Sequence, residues 1–155
     1  MKIFTIGHST KNIEEFLDIL KEYQINYLVD VRRFPSSKRF PHFNKENLSS
    51  KLKEMGINYI HYPDLGGFRE EGYLKYSQTQ EFRKVIMDML LTINERMPVI
   101  MCTEWDPTKC HRFYISEVLQ EFGYEVIHII DKNNSKPHRE LPPSDKIEMI
   151  CERQD

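Results

Sequence analysis

Cysteine is scarce in this chain: three among 155 residues, Cys102, Cys110 and Cys151. An odd number without regular spacing excludes a fully paired disulfide framework of the kind that staples small secreted proteins, and reduced thiols are the expectation. Long apolar runs are missing too. No stretch approaches the roughly 18 apolar residues that a membrane-crossing helix needs. The opening MKIFTIGHST turns polar too early for a secretory signal, so a cytoplasmic chain without a membrane partner is expected. Charge of one sign is lacking as well. With 22 basic and 24 acidic residues the formal charge is -2, which excludes a global field toward nucleic acid or membrane and leaves any attraction to phosphate local. Internal repeats and low-complexity tracts are absent.

What is present describes a globular chain: 39% hydrophobic and 30% charged residues over a length suited to one domain spanning 1–155. Lys2 to Ile6 reads as a first strand broken at Gly7. Ile13, Phe16, Leu17 and Leu20 follow at helical spacing, with Asn12 and Glu15 placed as a capping pair. Ile25 to Val31 is a second strand, apolar enough for burial on both faces. Leu48, Leu52 and Met55 form a helical stripe between Asn44 and Gly56, and Ile57 to His61 is a third strand. Residues 62–77, punctuated by Pro63, Gly66, Gly67 and Gly72, read as a loop long enough to carry function. The clearest helix runs through Phe82, Val85, Ile86, Met89, Leu90, Ile93 and Met97 to a stop at Pro98. Val99 to Cys102, a helix striped by Ile115, Val118, Leu119 and Phe122, and Glu125 to Ile130 complete the alternation; 131–155 reads as a polar tail. Five strand-helix alternations predict a three-layer, Rossmann-like α/β sandwich. Its sheet is expected to be mainly parallel and five-stranded, in the order 3-2-1-4-5.

In such a sheet the strands' C-terminal ends share one edge, where ligands bind. The unusual polar residues fall there. His8 and Ser9 follow strand one, Asp30 and Arg32 end strand two, Arg69 follows strand three, and Glu104 and Trp105 follow strand four. Asp106 and Pro107 carry the signature of a helix start, placing Cys110, His111 and Arg112 in or beside the first turn. Unpaired amides there favour an anion, strengthened by Arg112, and the same field favours thiolate at Cys110. Each residue also has an ordinary reading. Cys102 ends an apolar strand, where a small buried thiol is common packing. Glu104 can be a solvated surface acid, Asp30 and Arg32 a structural ion pair, and His61 and His128 packing histidines. A zinc site from Cys102, Cys110, His111 and His8 lacks the short paired spacing of structural zinc sites, so no metal is assigned, and any cofactor is left unspecified. Arg32, Arg33, Lys38, Arg39, His42 and Lys45 interleave with Phe34, Phe40 and Phe43, a pattern of single-stranded nucleic-acid grooves and equally of a charged surface over buried rings.

GHST at 7–10, DVR at 30–32 with Pro35 and Ser36, LGGFR at 65–69, CTEWDPTKCHR at 102–112 and Pro137-His138 together resemble the family catalogued as domain of unknown function 488, over nearly the whole chain. The resemblance implies a compact α/β fold and no particular reaction, and it adds His138 to the site. Trp105 stands where such motifs often carry a smaller residue, which implies altered substrate access.

Three functions compete. In the first, an enzyme acts on an anionic, nucleotide or nucleic-acid-related substrate: Arg32, Arg69 and Arg112 hold it, with Ser9, Trp105, His111 and His138 around it and His8 in contact. Glu104 and Asp30 move protons in that reading. In the second, Cys110 or Cys102 serves a sulfurtransferase or phosphatase. LVDVR and LQEFGYEVIHI resemble rhodaneses, although the span from Cys102 to Arg112 is far longer than their anion-cradling loop. In the third, the chain is a non-catalytic ligand- or protein-binding module.

Overall fold

A computed structural model describes residues 1–67 and 69–142. Phe68 of the LGGFR motif, Cys151 and the tail from 143 onward lie outside the described residues. Strands β1 (Lys2–Gly7), β2 (Tyr27–Asp30), β3 (Asn58–His61), β4 (Pro98–Cys102), β5 (Glu125–Asp131) and β6 (Asn134–Pro137) form one sheet. Helices α1 (Ile13–Glu22), α2 (Lys45–Glu54), α3 (Tyr73–Ser77), α4 (Gln80–Thr92) and α5 (Arg112–Glu121) flank it.

The expected α/β sandwich is present, with a sheet order of β3-β2-β4-β1-β5-β6. Two details differ from the sequence reading. β1 and β4 exchange places, although they remain parallel neighbours with Gly7 opposite Cys102. Both are almost wholly buried apolar strands, so composition does not say which lies nearer β2. The polar tail adds β6, antiparallel to β5. Asn134, Ser135 and Lys136 are exposed there, as an edge strand's residues can be, and show no hydrophobic alternation.

The two faces of the sheet follow from its period of two. Ile3, Val29, Ile100 and Cys102 pack toward α3, α4 and α5 with Tyr73, Phe82, Ile86, Met89, Ile115 and Leu119. Phe4, Ile6, Leu28, Val99 and Met101 pack toward α1 and α2 with Phe16, Leu20, Leu48 and Leu52. Asn12 caps α1 as expected, its side chain accepting from the Glu15 amide at 2.8 Å. Asn44 precedes α2, but its Oδ1 accepts from the Ser37 amide at 2.5 Å, so it ties down the loop after β2. The segment 62–77 is less irregular than expected: one 3-10 turn at Pro63–Leu65 and the short α3. No helix among the described residues is long and apolar enough to cross a membrane.

The largest local departure lies before α5. Asp106 does cap a turn, its carboxylate accepting from the Thr108 amide at 2.9 Å, but the turn is a single 3-10 turn at Pro107–Lys109. The backbone then extends at Cys110 (φ -137°, ψ 150°), and α5 begins only at Arg112. The extension carries the Cys110 side chain into the core, so the expected anion-binding first turn across 106–112 is not built.

Candidate functional site

β1 and β4 run on together past their ends: the His8 amide donates to Cys102 O and the Ser9 amide to Thr103 O, both at 2.9 Å. The contact depends on Gly7. A Cβ there would lie 1.9 Å from Glu104 O and 2.7 Å from the Trp105 nitrogen, so only glycine lets the two loops touch. Beyond them opens a pocket of about 330 Å³. Its walls are His8, Ser9 and Thr10 after β1, Thr103, Glu104 and Trp105 after β4, and Arg32, Ser36, Ser37, Arg39 and Phe40 after β2.

Arg32 is set by what lies behind it. Asp30, fully buried, accepts from the Arg32 amide (3.1 Å), Nε (2.9 Å) and Nη2 (2.8 Å) and from the Tyr59 hydroxyl (2.5 Å). Burial opposes the guanidinium charge, but the Asp30 hydrogen bond and charge outweigh it and raise the Arg32 pKa. Burial, then Asp30, likewise raises Tyr59 and keeps its hydroxyl protonated. Two histidines pin the same strand end: His61 Nε2 donates to Arg32 O (2.6 Å) and His111 Nε2 to Val31 O (3.0 Å). Asp30 thereby holds Arg32 from behind the pocket wall.

His8 lies over Phe43, with ring centroids 4.2 Å apart. Its Nδ1–H donates to Ser9 O at 3.0 Å, which turns Nε2 as an acceptor toward Arg32 Nη1, 3.5 Å away. Burial, and then the Arg32 charge, lower its pKa from 6.5 to about 4, so the ring is neutral at neutral pH. Ser9 holds the left-handed conformation (φ 49°) that turns the chain around the pocket rim. Glu104 is 8% exposed, and its Oε1 accepts from the Asp106 amide at 3.2 Å. Trp105 beside it is 51% exposed. A buried carboxylate, a buried guanidinium and a neutral imidazole thus share one cavity with hydroxyls and two aromatic rings.

A second polar network lies on the opposite face of the sheet. Arg112 is fully buried; its Nε donates to Cys102 Sγ (3.0 Å), Nη1 to Thr5 Oγ1 (2.7 Å) and Nη2 to Glu104 O (2.5 Å). Burial opposes this charge as well, and the Cys102 and Cys110 sulfurs raise the pKa nonetheless. The chain of bonds continues outward. Thr5 Oγ1 donates to His128 Nδ1 (2.6 Å), His128 Nε2 to His138 Nδ1 (2.8 Å) and His138 Nε2 to the half-exposed carboxylate of Glu117 (2.8 Å). Both histidines are neutral: burial, then Arg112, lowers His128 to about 2, and burial lowers His138.

A family model matches residues 12–119. The chain belongs to the family described as domain of unknown function DUF488. No curated protein and no solved structure matches it. The matched span of this DUF488 chain holds Asp30, Arg32, Arg69, Glu104, Trp105, Cys110, His111 and Arg112 and leaves out His8, Ser9 and His138.

Of the residues predicted from sequence, His8, Ser9, Arg32, Glu104 and Trp105 line this same pocket. Asp30 and His111 stand behind Arg32. Cys110 and Arg112 lie in the core on the other face of the sheet, and His138 is part of the network that runs from Arg112 to Glu117. Arg69 is elsewhere: its guanidinium stacks 3.8 Å from the Tyr76 ring centre and donates to Asp64 O. Among the described residues no group of three or more His, Cys, Asp or Glu side chains is placed to hold a metal ion. Tyr59, Thr5 and Glu117 were missed. Tyr59 carried a usable signal, since a strand residue two before His61 shares its face and reaches the same strand end.

Proposed function

We propose that this DUF488 chain is an enzyme acting on an anionic, nucleotide or nucleic-acid-related substrate held in the pocket between the loops after β1, β2 and β4. One observation carries the reading: Arg32 and Glu104, opposite in charge and both buried, line the same cavity. Asp30 engages Arg32 through Nε and Nη2, so Nη1, beside His8, is the edge assigned to a phosphate or carboxylate. Exposed Arg39 adds a second cation, and Trp105 with Phe40 offers rings on which a base can stack. Glu104 is the acid-base group in this reading, because it is the carboxylate of the lining. Neutral His8 contributes a hydrogen-bond acceptor rather than a proton. Asp30 acts through Arg32. Cys102 and Cys110 belong to the core on the other face of the sheet, outside the lining of this pocket, and are not assigned a part in its chemistry.

The test uses nucleoside 5′-monophosphates and a short single-stranded oligonucleotide in calorimetric titrations, with product formation followed by chromatography. Arg39→Ala and Trp105→Ala, both at exposed positions, should weaken binding. Glu104→Gln should preserve binding and abolish turnover. Binding without turnover that Glu104→Gln leaves unchanged would replace the enzyme by a binding module. Turnover surviving Glu104→Gln would remove its assigned role.

A further inference from the structure

The sulfurs of Cys102 and Cys110 lie 2.6 Å apart in the core, close to the roughly 2.0 Å of a covalent S–S bond. They come from different local structures: Cys102 ends β4, and Cys110 occupies the extended step that interrupts the expected helix start. Arg112 adds an electrical argument. Its guanidinium is fully buried, and among the described residues no carboxylate is ion-paired with it. A buried cation without an anion is costly. Its Nε lies 3.0 Å from Cys102 Sγ, and its amide lies 3.5 Å from Cys110 Sγ. A thiolate at Cys102, receiving the Cys110 S–H, would supply the missing charge.

We propose that Cys102 and Cys110 are a redox-modification site: a buried thiol-thiolate pair that a peroxide converts reversibly to an intrachain disulfide. The Cys102 thiolate attacks one peroxide oxygen and the O–O bond breaks, giving a sulfenic acid and a hydroxide that takes up a proton to become water. The Cys110 sulfur then attacks the Cys102 sulfur. The S–S bond forms as the S–O bond breaks, and the Cys110 proton leaves with the oxygen as a second water. Two thiols and one peroxide become one disulfide and two waters, with two electrons passing from sulfur to oxygen. A disulfide carries no charge, so oxidation leaves Arg112 to Thr5 and to the main-chain oxygens of Glu104 and Trp105, which it contacts at 2.5 and 3.5 Å. The redox state is thereby transmitted to the loop that carries the chain's one tryptophan. The proposal is independent of the substrate reading.

The full chain is treated with hydrogen peroxide, its remaining thiols are alkylated, and it is digested with trypsin without reduction. Cleavage after Lys109 separates the two cysteines, so the expected product is peptide 97–109 linked to peptide 110–112, lost on dithiothreitol treatment. Recovery of both cysteines alkylated, separately oxidised or bonded to Cys151 overturns the proposal. Trp105 fluorescence should change on oxidation and return on reduction. Unchanged emission with the link in place overturns the coupling to Arg112. Cys151→Ser should behave as the parent does, and Cys110→Ser should lose the link.

Discussion

Acidification should destabilise this protein well above the range in which its carboxylates titrate, because His8, His128 and His138 are buried neutral, and the first two carry most of the effect. His128 accepts from Thr5 at Nδ1 and donates to His138 at Nε2, so a second ring proton would meet the Thr5 hydroxyl, which already faces the Arg112 guanidinium. His8 would place its new proton against Arg32. Their pKa values in the fold are about 2 and about 4 against an ordinary 6.5. The unfolded chain therefore takes up protons that the native state refuses. Stability is fully present above about pH 6.5 and falls as pH drops below it. At pH 5 both folded-state values lie below the ambient pH, so each residue's loss is set by the ordinary value alone: about 1.5 pH units at roughly 1.36 kcal/mol each, or about 2 kcal/mol. Together they remove about 4 kcal/mol from a typical total of roughly 5–15 kcal/mol. His138, also lowered, acts in the same direction. Urea unfolding at pH 7.5 and pH 5 at constant ionic strength, followed by circular dichroism, measures the difference. A stability at pH 5 equal to or above that at pH 7.5 would refute the reasoning.

Three mutations probe the scaffold of the site. Gly7→Ala forces a Cβ onto the Glu104 carbonyl and should cost more than about 4 kcal/mol, seen as a large drop in the unfolding midpoint or loss of soluble protein. Asp30→Asn leaves Arg32 buried without its anion and should cost about 3–5 kcal/mol in urea unfolding, against less than 1 kcal/mol if the pair were idle. Tyr59→Phe removes a hydrogen bond to a buried carboxylate and should cost about 1–3 kcal/mol; a neutral result would mean that Asp30 is satisfied without it.

Periodicity carried most of the fold. The stripe of Phe82, Ile86 and Met89, the buried run of β4 and the Asn12 cap are local signals, and each appears in the structure. The exchange of β1 and β4 was not legible, because two strands buried on both faces look alike in sequence. β6 was hidden by its polarity. The Asp106-Pro107 signal was real but marks a 3-10 turn, since one buried side chain, Cys110, draws the backbone out of helix. The pocket was legible to the extent that parallel strands deliver their ends to one edge: His8, Ser9, Arg32, Glu104 and Trp105 meet there. Arg69 illustrates the limit. A loop residue's direction depends on partners distant in sequence, here the Tyr76 ring. Arg112 reads in sequence as a helix-start cation that holds an anionic substrate, and only the sulfurs and carbonyls around it account for its burial.

The pocket reading is tested most directly by a crystal structure of the full chain with adenosine 5′-monophosphate. The account predicts the phosphate on Arg32 Nη1 at about 2.7–2.9 Å, with the base against Trp105 or Phe40 and Glu104 facing the ligand. A nucleotide seated away from Arg32 and Glu104, or crystals saturated with it whose pocket holds none, would contradict the account.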